Sequence, residues 1–135
     1  MRSRSSPTAS AVLDVLDASA AMAWIHGEVG SDTVEGLLEG AVMSAVNWSE
    51  VLQKTRAGRS DPIDAQELLG TRGVVVTSAT RGDATLAARF WEPRTPLTLA
   101  DRFCLATAYR LGARAVTADR AFTAVRTDVD VLVIR

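Results

Sequence analysis

Five short runs of β-branched and apolar residues punctuate the chain at even intervals, and this alternation constrains the fold more than any other feature. They are Val12 to Leu16, Ala41 to Ser44, Val74 to Thr77, Ala113 to Thr117 and Val129 to Ile134. Each has the length of a strand, and the segments between them have the length and capping signals of helices. Strands joined through helices run parallel, so the pattern predicts an α/β domain built of βα units around a parallel sheet. Helix starts are expected at Asp32 with Glu35, at Asp61-Pro62 and at Thr98 with Asp101. In each a short polar side chain can cap the first turn, with an acid or a proline just inside it. Stops are expected at Gly27, Gly40, Gly58, Gly70 and Gly112.

At 135 residues, with 47% hydrophobic and 23% charged, the chain suits one globular domain with a true core. Residues 11–135 are assigned to that domain, and Met1 to Ser10, rich in serine, to a loose N-terminal tail. The net charge of -1 argues against a module that holds nucleic acid by phosphate contacts alone. It argues less against a nuclease, whose acidic ligands cancel arginines in the total while a divalent ion restores positive charge at the site. Lys54 is the only lysine, and the arginine bias fits bidentate phosphate recognition as well as it fits a coding bias. Cys104 is the only cysteine, which excludes an intramolecular disulfide and points to a reducing, cytoplasmic setting. Asp14 and Asp17 interrupt the first apolar stretch, so neither a signal peptide nor a membrane association is expected.

In an open parallel sheet, sites form beyond the carboxyl ends of the strands. Asp17 ends the first run, Asp119 follows the fourth, Asp101 lies in the first turn of the helix leading into the fourth, and Glu50 is in the second turn after the second. Each has an ordinary explanation: Asp17 and Asp119 as helix caps, Asp101 as a first-turn acid, Glu50 as a surface partner of Lys54. Together they would crowd one edge of the sheet. Carboxylates about 4 Å apart repel by roughly 4 kcal/mol per pair at an effective dielectric near 20, so such a cluster calls for protons or for hard cations such as magnesium or manganese. Asp14, on the first strand itself, is expected outside the cluster.

Other chemistries lack their residues. His26, the only histidine, stands at an expected helix end, and one histidine with one cysteine leaves zinc without ligands. No glycine-rich phosphate loop follows a strand, and nothing pairs His26 with a nucleophile elbow. Trp24, Trp48 and Trp91 have apolar neighbours, which favours packing over base stacking. The segments Ala18 to Ile25 and Leu86 to Trp91 carry more apolar surface than a small domain is expected to hide, which suits contact with a partner.

Four segments resemble, in order and spacing, the successive acidic motifs of bacterial PIN-domain toxins of the VapC type. They are Leu16-Asp17-Ala18-Ser19-Ala20, Asn47-Trp48-Ser49-Glu50-Val51, Leu99-Ala100-Asp101-Arg102 and Thr117-Ala118-Asp119-Arg120-Ala121-Phe122. The resemblance implies an α/β/α sandwich, magnesium-dependent endoribonuclease activity on RNA, homodimerisation and inhibition by a VapB-type antitoxin. It further implies that Asp17 and Asp101 hold the metal and that Glu50 and Asp119 complete or orient the site. The hydroxyls of Ser19 and Thr117 suit support of those ligands and suit local capping equally well. The extension ahead of the first strand departs from the family's pattern.

A phosphoacceptor receiver-like domain would need a lysine near the end of a late strand, and Lys54 is on the wrong element. A haloacid-dehalogenase-like phosphatase would need an aspartate where Ser19 stands. A non-catalytic PIN-like interaction module remains the main alternative, and the intact acid set speaks against it.

Overall fold

The computed structural model describes residues 12–135, so the tail assigned to Met1 to Ser10 lies outside the described residues. Strands β1 (Asp14–Leu16), β2 (Val42–Ser44), β3 (Val75–Thr77), β4 (Arg114–Thr117) and β5 (Val131–Val133) alternate with helices. These are α1 (Ala18–Ile25), α2 (Ser31–Glu35), α3 (Ala45–Ala57), α4 (Pro62–Thr71), α5 (Arg81–Arg89) and α6 (Leu99–Leu111), with a 3-10 turn at Arg120–Ala124. The sheet is five-stranded and parallel throughout, in the order β3-β2-β1-β4-β5. Every expected strand is present, one to three residues shorter than its apolar run. The runs continue as backbone bonding at the sheet margin, as in Arg114 N–H to Leu13 O and Ile134 N–H to Thr117 O, both 2.9 Å.

Neighbouring residues on a strand point to opposite faces, and here each face has its own core. Leu16, Met43 and Val116 pack with α1, α2, α3 and α4 through Ala20, Val34, Val51 and Leu69. Val15, Val42 and Ala115 pack on the other side with Cys104, Leu105 and Ala108 of α6 and Phe122 of the 3-10 turn. The central strands are therefore apolar at consecutive positions, as a sheet covered on both faces requires. β3 stands at one edge, with Val75 and Val76 exposed.

Helix starts and stops depart from expectation in four places. The cap of α2 is Gly30 (φ 95°), not Asp32, and Asp32 sits in the first turn instead. The same helix stops at Gly36 rather than Gly40, because it is only five residues long. A side chain at Gly30 would meet the Ile134 carbonyl at 2.7 Å, so close packing against the C-terminal strand dictates the residue there. Gly70 lies inside α4, which runs to Thr71 with Arg72 as its cap, and the chain turns at Gly73 (φ 94°). α5 opens on a capping box, Thr80 with Asp83, that the sequence reading did not single out. Asp61 and Thr98 cap α4 and α6 as expected, and Gly112 closes α6 in the left-handed conformation.

α1 also differs from the expectation of surplus apolar surface. Ala18, Ala20, Ala21 and Ala23 are buried and Met22, Trp24 and Ile25 partly so, because α2 and α3 cover the helix within this one domain. Trp24 donates to Glu35 at 2.7 Å and carries the Arg72 guanidinium 5.3 Å over its ring, whereas Trp91 is 56% exposed. His26 caps the C-terminus of α1. Among the described residues no helix is long and apolar enough to cross a membrane.

α5 and α6 are joined by a half-buried ion pair. Arg110 donates to both oxygens of Asp83, at 2.7 and 3.0 Å, and Asp83 is almost fully buried. Burial raises the carboxyl's pKa, but the guanidinium and the Thr80 donors outweigh it and hold the group below its ordinary 3.8. The stability this contributes is present above that value and lost as pH falls through the lowered one. Arg110→Ala is expected to destabilise the fold by about 2 kcal/mol at pH 7, less below pH 4. Urea unfolding at the two pH values checks this, and a pH-independent deficit would contradict it.

Candidate functional site

Helices in a parallel α/β fold run back against the strands, so each begins at the carboxyl edge of the sheet. This places the four acids at that edge. Asp17 lies between β1 and α1, Glu50 in the second turn of α3 behind β2, Asp101 in the first turn of α6, and Asp119 just past β4. β1 neighbours both β2 and β4, which brings together residues far apart in sequence. Asp14 starts β1 at the opposite edge, where it accepts from Arg114 at 2.8 Å, outside the group as expected.

Asp17 is the buried member, only 2% exposed. As the N-cap of α1 it accepts from the Ala20 amide at 2.8 Å. The Ser19 hydroxyl donates to it at 2.8 and 2.9 Å, and the Thr117 hydroxyl, from β4, at 2.5 Å. Ser19 accepts from the Ala118 amide and Thr117 from the Asp119 amide, so the same hydroxyls order the loop that carries Asp119. Burial pushes the Asp17 carboxyl up to about 6 from 3.8, against the lowering effect of the Thr117, Ala20 and Ser19 donors, and the Asp101 charge raises it further.

The other three acids each hold a local donor as well. Asp101 completes the capping box of α6, accepting from the Thr98 amide at 2.9 Å. Asp119 caps the 3-10 turn through the Ala121 amide at 2.8 Å. Glu50 accepts from Asn47 Nδ2 at 3.0 Å rather than pairing with Lys54. The capping explanation thus holds for three of the four residues, Asp17, Asp101 and Asp119, and the fourth, Glu50, is held by Asn47. Asn47, given no separate role by the sequence reading, is the addition. Its signal was its place three residues before Glu50 on one helix face.

Burial raises the Cys104 pKa well above its ordinary value, and the charges of Asp17, Asp101 and Glu50 raise it further. Among the described residues, however, no three acid, histidine or cysteine side chains stand close enough to hold one metal ion. Each of the four carboxylates accepts instead from a local donor. A cavity of about 550 Å³ between α5 and α6 holds none of the four acids. Its one acid, Asp83, is already neutralised by Arg110.

The donor chemistry fits a hard divalent cation. The donors are all carboxylates, one of them desolvated and raised toward neutral pH, with hydroxyls in support.

Residues 15–127 match the model of the PIN domain family. Among solved structures, a toxin–antitoxin complex from Klebsiella pneumoniae superposes with a TM-score of 0.72 at 16% identity, covering 90% of this chain and 98% of that one. VapC20 from Mycobacterium tuberculosis, described as a sarcin–ricin loop cleaving toxin, does so at 0.64 and 18%, covering 82% and 93%. VapBC2 from Rickettsia felis, bound to a DNA fragment from its promoter, gives 0.73 at 10%, covering 91% and 99%. No curated protein matches the sequence. The structural likenesses speak for the fold, and with the family match over the strands and helices that carry all four acids, the chain belongs to the PIN domain family.

Proposed function

We propose that this protein is a metal-dependent endoribonuclease that hydrolyses RNA phosphodiester bonds, acting in the cytoplasm as the toxin of a type II toxin–antitoxin pair. The observation that carries the reading is the PIN-family match over the strands and helices that carry Asp17, Glu50, Asp101 and Asp119, with Asp17 buried at the end of its strand. The likeness to VapC20, described as a cleaving toxin, and to toxin–antitoxin complexes supports the toxin assignment and a VapB-type antitoxin as partner. A homodimer is the proposed assembly.

Asp17 and Asp101 are the residues proposed to hold the ion, with Glu50 and Asp119 completing or orienting the site. Bound magnesium or manganese supplies charge that acidifies a water and offsets the charge gathering on the scissile phosphate. Ser19 and Thr117 fix the orientation of the Asp17 carboxylate, and the Thr117 bond to the Asp119 amide sets the loop beside it. The single histidine caps α1, at the opposite end from Asp17, so no imidazole base serves this edge.

Purified protein incubated with total RNA is expected to cut it with magnesium and to stop when chelator is added. Asp17→Asn and Asp101→Asn are expected to abolish cleavage, and Ser19→Ala to lower it about tenfold to a hundredfold. RNA left whole under both conditions would favour a non-catalytic interaction module.

Stability without divalent ion follows from the raised Asp17 carboxyl. The unfolded chain ionises this group near 3.8, whereas the folded protein keeps the proton to about 6. Stability is therefore lost as pH rises from about 4 to 6, by about 3 kcal/mol, and stays low above that. Asp17→Asn lacks the titration, so its stability relative to wild type is expected to rise by that amount between pH 4 and 7 in chelator. Urea unfolding across that range checks it, and a constant difference would count against a desolvated Asp17.

A further inference from the structure

Asn47 is fully buried in the first turn of α3, three residues before Glu50. Asparagine is a poor choice for such a place, since its amide competes with the helix and has several hydrogen-bonding positions to fill. Its Nδ2 donates to Glu50 Oε1 at 3.0 Å and to the Ala100 carbonyl at 3.1 Å. Both partners are acceptors, which fixes the amide orientation: turning it over would set oxygen against two oxygens. The price of that orientation is Oδ1, which is buried without a partner. Ala100 precedes Asp101 in the first turn of α6. One side chain thus ties the Glu50 carboxylate to the peptide unit beside Asp101, across the contact of α3 with α6.

An apolar residue would fill the same space with no orphaned oxygen, so packing alone does not account for an amide here. Holding two like-charged groups in a fixed relation does. We infer that Asn47 is a positioning residue whose amide fixes Glu50 against the start of α6, so that Glu50 and Asp101 can serve one divalent cation together. This rests on the metal-dependent reading above and extends it to a residue with no charge of its own. Asn47 acts through Glu50 and the start of α6.

The test is calorimetric titration of the full chain with manganese, alongside melting curves. Asn47→Ala is expected to weaken manganese binding tenfold to a hundredfold, the range for residues that orient ligands. Leu69→Ala, a fully buried change on α4 away from the acids, is expected to lower the melting temperature while leaving the manganese Kd within about twofold of wild type. Should Asn47→Ala fail to fold, Asn47→Ser is read in the same way. Unchanged manganese affinity in the Asn47 variant, or equal weakening in Leu69→Ala, overturns the inference while the nuclease reading stands. A wild-type protein that neither binds manganese nor cuts RNA overturns both.

Discussion

The hydroxyl of Thr117 reaches from β4 to the carboxylate of Asp17 at the end of β1, and the carboxyl edge of the sheet is organised around that bond. Two central strands end on it, α1 starts from its acceptor, and the loop carrying Asp119 hangs from its donor. Burial works against the ionised carboxylate, and the three groups that donate to it work the other way. An aspartate held in that balance is responsive to any cation that reaches it, because the ion replaces the hydration that folding removed.

The fold was legible because its signals were redundant. Five apolar runs, each bounded by capping residues or glycines, left little freedom beyond a parallel sheet, and what moved was strand ends, helix ends and caps. Gly30 rather than Asp32 caps α2 because the approach of Ile134 leaves no room for a side chain, a contact made across the whole chain. Gly70 reads as a stop, yet α4 runs through it to Thr71 because Leu69 is anchored in the core. The apolar character of α1 was plain, but whether a neighbouring helix or a second molecule covers it depends on where α2 and α3 lie.

The site was legible in part. Its acids follow strands or open helices, so their common edge is a matter of topology and could be inferred from order alone. How close their carboxylates stand is not a matter of topology. Asp101 and Asp119 satisfy caps, and a capping residue looks the same in sequence whether or not it has a second task. Asn47 was harder still to see, since its meaning lies in a contact with Ala100, 53 positions away.

β3 lies at the margin of the sheet with Val75 and Val76 uncovered. Such a row of open amides and carbonyls beside β-branched side chains is the sort of template onto which stray chains add and from which aggregates grow. Its three-residue length is its protection: an incoming strand would find too few rungs to hold. Lengthening that strand while engineering the loops around it would therefore trade solubility for order.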